Sequence, residues 1–156
     1  MSETFKKILL ALSDDVEEAT QVAKYGLALA DTHEAEVRIL SVLTPALAPT
    51  SPSLRFAAAD TPIMSVAQVS EPAIQNRKAM IEKILELQAP KIKKDQTVRA
   101  GDPAMGIVSE ADSWGADLIV LGSRDRSWLE RLFDPSVSRA VAQRAECAVL
   151  ILPVKV

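Results

Sequence analysis

The residues best placed to do chemistry lie between Gly122 and Ser138, GSRDRSWLERLFDPSVS, where a run of strand character gives way to a helical one. A strand-to-helix turn aims free backbone N–H groups outward, so the chemistry to expect there is anion or phosphate binding. Ser136, Val137 and Ser138 would present such groups at the start of the last helix. Asp134-Pro135 is a helix-start pair, with Asp134 as N-cap and proline in the first helical position. Pro135 has no N–H to give. The Asp134 carboxylate would itself accept from Ser136 or Val137, the donors a phosphate needs. Arg124, Arg126, Arg131 and Arg139 supply cations for an anion site of a different shape. Arg124–Asp125–Arg126 and Glu130–Arg131 read more readily as a mixed, solvated surface of little energetic weight. No histidine is placed to activate Ser136 or Ser138, so neither reads as a nucleophile.

An alternation of strands and helices must position this run. Ile8–Leu12 is a continuous apolar stretch of strand length, as expected for a strand covered on both faces. Ser13-Asp14-Asp15 supply helix-start chemistry, and Val16, Ala19, Val22, Ala23, Leu27 and Ala30 follow at helical spacing. Val37–Val42 is the second strand. Strand, helix, strand with short connections predicts a βαβ unit and a parallel sheet. From Pro45 to Pro72 the periodicity stops in a Pro-, Ser- and Ala-rich stretch, expected to be a mobile loop within one domain spanning 1–156. Ala73–Ala89 reads as a helix with Ile74, Met80, Ile81, Ile84 and Leu85 or Leu87 inward. A short strand at Thr97–Ala100 leads through Gly101-Asp102-Pro103 into a helix at Ala104–Trp114. Asp117–Leu121 feeds the focal loop, Pro135–Arg144 is the last helix and Ala148–Leu152 the last strand.

Composition narrows the function classes. The chain has 156 residues, 48% of them hydrophobic and 4% aromatic, so its core is built mainly of Ala, Val, Ile and Leu. A net charge of −3 gives no basic footprint for nucleic acid. The apolar run near the N-terminus is too short for a signal peptide or a membrane span, and the expected location is cytoplasmic. Cys147 is the only cysteine and His33 the only histidine, which leaves no metal constellation. Cys147 is expected to be a small half-buried hydrophobe, and His33 a surface residue at a helix end.

The opening KKILLALSDD, the turn AGDP and the closing DLIVLGSRDRSWLERLFDPSVSRAVAQRAECAVLILP resemble the universal stress protein family nearly end to end. The resemblance implies a three-layer α/β sandwich of the adenine-nucleotide-hydrolase-like kind, with four helices on an open five-stranded parallel sheet of order 3-2-1-4-5. It also implies where a ligand lies. The nucleotide-binding branch carries G-x2-G-x9-G-[ST] after a strand ending in an apolar pair, and an Asp after the first strand that recognises adenosine. On this chain the pair ends at Leu121 and the first glycine is Gly122. The second glycine position is Asp125, and the third is Pro135 followed by Ser136. The adenosine-side Asp position holds Ser13, flanked by Ala11 and Leu12, and the apolar end of the second strand is Val42. Val137 and Ser138 match residues that line the phosphates.

Two lost glycines and a lost aspartate point away from ATP. Asp125 tolerates a left-handed turn, but its charge repels a triphosphate, by roughly 4 kcal/mol for unit charges about 4 Å apart near a surface. The resulting expectation is a non-enzymatic stress-response homodimer that needs no cofactor and binds ATP weakly or not at all. The alternative is an adenine-nucleotide sensor of the same fold, taking ATP or AMP with Mg²⁺ through the arginines and the Ser136–Ser138 helix start. Nucleotide hydrolysis fits least, since Asp14, Asp15 and Asp125 form no evident base or metal set. The resemblance implies dimerisation through Ala148–Leu152, and an apolar edge strand invites pairing at the same place. Trp128 and Phe133 read either as a turn packed over the sheet end or as an anchor for a protein partner.

Overall fold

A computed structural model of the chain describes residues 4–44, 70–86, 94–124 and 137–154. Ile8, Leu9 and Leu10 make β1 (Lys7–Ala11) the centre of the molecule, because each is fully buried whichever face it points to. Burial of this kind contributes about 1.5–3 kcal/mol per side chain, which secures β1 between two neighbours. Asp15 then caps α1 (Val16–His33), its carboxylate accepting from the Glu18 N–H at 2.8 Å. Ala19, Val22, Ala23, Leu27 and Ala30 turn inward as their spacing predicts. Val16 does not: it is 56% exposed, because it is the first residue of α1 and the buried face begins only at Ala19.

The remaining elements are β2 (Glu36–Leu43), α2 (Glu71–Glu86), β3 (Lys94–Ala100), α3 (Pro103–Trp114), β4 (Leu118–Arg124), α4 (Val137–Arg144) and β5 (Ala148–Val154). All pairings are parallel, and the order β3-β2-β1-β4-β5 is the one expected. One core lies between the sheet and α1/α2, with Leu10, Ile39, Val120, Leu27 and Ile81 at its middle. The other lies under α3/α4, formed by Leu9, Leu40, Ile119, Ile107 and Val141. Helix, sheet and helix make three layers.

Three boundaries differ from expectation. Residues 45–69 of the expected loop lie outside the described residues, but Glu71 and Pro72 form the first turn of α2, where a missing N–H costs no helical bond. Ser70 starts that helix, its carbonyl accepting from Ala73 at 3.0 Å. β3 begins at Lys94, three residues before its apolar portion, since β2 extends a partner ladder from Val37↔Lys94 to Leu43↔Ala100. β5 continues two residues past Leu152 to pair with Ser123 and Arg124.

The candidate crevice at the strand ends

The sheet order reverses between β1 and β4, and in such sheets ligands sit beyond the strand ends at that switch. The register brings several predicted residues together there. Ala11 is paired with Leu121 on one side and Leu40 on the other, both buried. One residue further on, Gly122, Leu12 and Ser41 form a row across β4, β1 and β2, roughly 10 Å from end to end at the usual strand spacing. Leu12 keeps to that ladder, its N–H donating to Leu40 at 2.8 Å. Ser13 leaves it; its Oγ accepts from the Asp15 N–H at 3.3 Å, so the residue at the adenosine-side position helps form the turn into α1.

Val42, at the end of β2, is half-buried beneath α3. A Cβ on Gly106 would stand 2.9 Å from Val42 Cγ2, so the helix lies directly on this side chain. Val137 is half-buried and Ser138 buried in the first turn of α4, against the same core layer as Leu121. Arg124 is the last residue of β4, opposite Val154. Asp125, Ser136 and the Asp134-Pro135 pair lie outside the described residues, as do Trp128 and Phe133.

Two charged residues absent from the sequence reading enter this crevice. Glu18, in the first turn of α1, lies over Gly122: a Cβ there would meet Glu18 Cγ at 2.7 Å, Oε1 at 2.8 Å and Cδ at 3.0 Å. The signal was available, for Glu18 stands four residues before the buried Val22 and shares its face. Arg77 comes from α2 to the other end of the row. Its Nη1 donates to Ser41 Oγ at 2.5 Å, and that hydroxyl donates to the Leu12 carbonyl at 3.0 Å. Burial pushes the Arg77 guanidinium pKa down, and the nearby Asp14 carboxylate opposes the shift. The crevice therefore carries a carboxylate at its β4 end and a guanidinium at its β2 end.

A second charged cluster lies under α3. Glu110 is 4% exposed and accepts from Arg38 Nη1 at 3.0 Å and Arg99 Nε at 2.7 Å. Arg38 also forks onto Asp95, at 3.0 and 3.1 Å, and stacks 4.8 Å from the Trp114 ring. The hydrogen bonds to Asp95 hold its pKa above the usual arginine value, against the opposing effect of burial. Every charge in this cluster has a partner of opposite sign, the arrangement of a structural brace. His33 is likewise structural: half-buried at the end of α1, its Nδ1 accepts from the Phe5 N–H at 3.1 Å.

Residues 4–153 match the model of the universal stress protein family. The universal stress protein YxiE of Bacillus subtilis is 30% identical over 149 residues, covering 95% of this chain and 99% of its own. Among solved structures, UspA from Lactobacillus plantarum superposes with a TM-score of 0.63 at 22% identity, over 97% of this chain and 99% of that one. A universal stress protein in complex with cAMP superposes with a TM-score of 0.61 at 16% identity, over 97% and 98% of the two chains. At these identities the superpositions establish the shared sandwich.

Proposed function

The chain belongs to the universal stress protein family, and from that premise we propose that it works as a non-enzymatic stress-response homodimer that binds ATP weakly or not at all. The observation that carries the dimer is β5. Among the described residues it is an edge strand paired only with β4, and Leu150 and Ile151, which point to opposite faces, are 37% and 36% exposed. An apolar edge of this kind is covered in a stable soluble protein, and a second copy of the same strand is the cover that the family resemblance supplies. Pro153 lies two residues beyond Ile151 and lacks an N–H, which confines further pairing to about Ala148–Leu152.

The crevice supports the reading of weak nucleotide binding. Ser13 is engaged in the turn into α1, Asp15 caps that helix, and a carboxylate rests on Gly122. A second reading, an adenine-nucleotide sensor, draws support from the related structure in complex with cAMP. Sedimentation equilibrium combined with calorimetric titration of ATP, ADP, AMP and cAMP in Mg²⁺ separates the two. The proposal expects a dimer with no saturable micromolar binding. Tight binding of any of the four nucleotides establishes the sensor reading instead, and a monomer at micromolar concentration removes the dimer.

A further inference from the structure

Gly122 occupies the first glycine position of the phosphate-binding pattern, yet the space its missing Cβ leaves open is already taken. Along β4, Leu118 and Val120 point into the core beneath α1, and Gly122 continues that alternation. The atoms it faces are Cγ, Cδ and Oε1 of Glu18, all within 3.0 Å of where a Cβ would stand. A phosphate uses glycine because bare backbone lets the anion approach closely. Here that approach meets both the volume and the charge of a carboxylate. Asp15 adds negative charge one turn earlier, although its carboxylate is bonded to the Glu18 N–H. Arg77 is anchored at the other end of the row, two strands away on Ser41.

We propose that Glu18 is the residue that sets which ligands this crevice admits, excluding phosphate-bearing ones from its β4 end while leaving uncharged ones less affected. The inference deepens the reading of the crevice as a nucleotide scaffold with weak affinity, and rests on it. Gly122 is then retained for the chain's own glutamate, which lies on the bare backbone where a ligand's phosphate would approach. Glu18 is a specificity residue that acts by occupation and by repulsion, and the two contributions are separable.

The test is calorimetric titration of the full chain, and of its Glu18→Ala and Glu18→Gln variants, with Mg²⁺–ADP and separately with adenosine. Glu18→Ala is expected to bind ADP at least about tenfold more tightly than wild type, the effect of removing a modest part of a near-surface charge repulsion. Glu18→Gln should lie between them, and adenosine should gain much less than ADP. Equal ADP affinity in wild type and Glu18→Ala, including no detectable binding by either, overturns the proposal. So does an equal gain for ADP and adenosine, since charge would then play no part. A second measurement reads the contact directly. Gly122→Ala should lower the unfolding midpoint in the wild-type background and do so much less in Glu18→Ala; equal losses in both also overturn it. Micromolar ADP binding by the wild type would sink the weak-affinity reading alone, provided Glu18→Ala still binds more tightly.

Discussion

β3 and β5 are the two edges of one parallel sheet, and they meet solvent in opposite ways. β3 reads KDQTVRA. Its Asp95 and Arg99 side chains are bound into the cluster around Glu110, so the strand presents charge and is braced from beneath by α3. β5 reads AVLILPV and exposes Leu150 and Ile151, with no such brace among the described residues. A charged, braced edge resists addition of another strand, whereas an apolar one calls for it. Among the described residues, the contrast teaches that one edge of this sheet carries charge and the other carries exposed apolar side chains.

The most damaging way to break that contrast is to charge β5. Leu150→Lys with Ile151→Glu should weaken the proposed dimer by roughly 100-fold or more, in line with loss of a buried apolar anchor. Sedimentation velocity should then give the mass of a single chain; an unchanged mass would place the interface elsewhere. Next comes Glu110→Ala, which leaves Arg38 and Arg99 without their shared carboxylate. Because both arginines remain partly in contact with water, the loss should fall below that of a fully buried pair, at about 1–3 kcal/mol. Thermal denaturation should show it as a drop of several degrees, with the dimer mass retained.

Asp95→Ala should cost less, under about 1 kcal/mol, since Asp95 is mostly exposed. The difference from wild type should shrink further in 1 M salt. The smallest effect concerns Cys147, which enters β5. Burial pushes its thiol pKa up, and Asp112 and Asp117 add to the shift. Folding thus favours the protonated form. Its stabilising contribution is complete below the ordinary thiol range and is lost as pH rises through the raised value. Alkylation at pH 7.5 should be several-fold slower in the folded protein than in denaturant, because the thiolate is the reactive form.

The parts of the fold that were legible are those where one stretch of chain carries its own reason. Ile8–Leu10 read as a doubly buried strand because every position is apolar, and Gly101-Asp102-Pro103 read as the turn leading into a helix. The structure adds that Asp102 caps that helix, accepting from the Met105 N–H at 2.9 Å. The first three residues of β3 were illegible, since Lys94, Asp95 and Gln96 become a strand only by pairing with β2. In the crevice, Ala11, Leu121 and Gly122 lie side by side because the sheet order sets β1 beside β4, and Ser136 lies outside the described residues. Glu18 and Arg77 were missed because their places depend on how α1 lies over β4 and α2 over β2, and no local pattern encodes that. In the first turn of α4, Val137 packs against the core layer that holds Leu121, and Ser138 is buried beside it.

The Asp117 carboxylate accepts from the Lys6 and Lys7 N–H groups, and Ile8 pairs with Leu118, tying the first strand to one made 110 residues later. That separation has a consequence for biosynthesis. At about 5–20 residues per second, the β4-facing edge of β1 waits roughly 5–20 s on the ribosome for its partner. During that interval a strand whose Ile8, Leu9 and Leu10 end fully buried has a neighbour on one side only. A chain ended at Trp114 should therefore aggregate or be held by chaperones, while one extended through β5 should not. The strand that organises the finished sheet is also the one whose assembly the cell must guard longest.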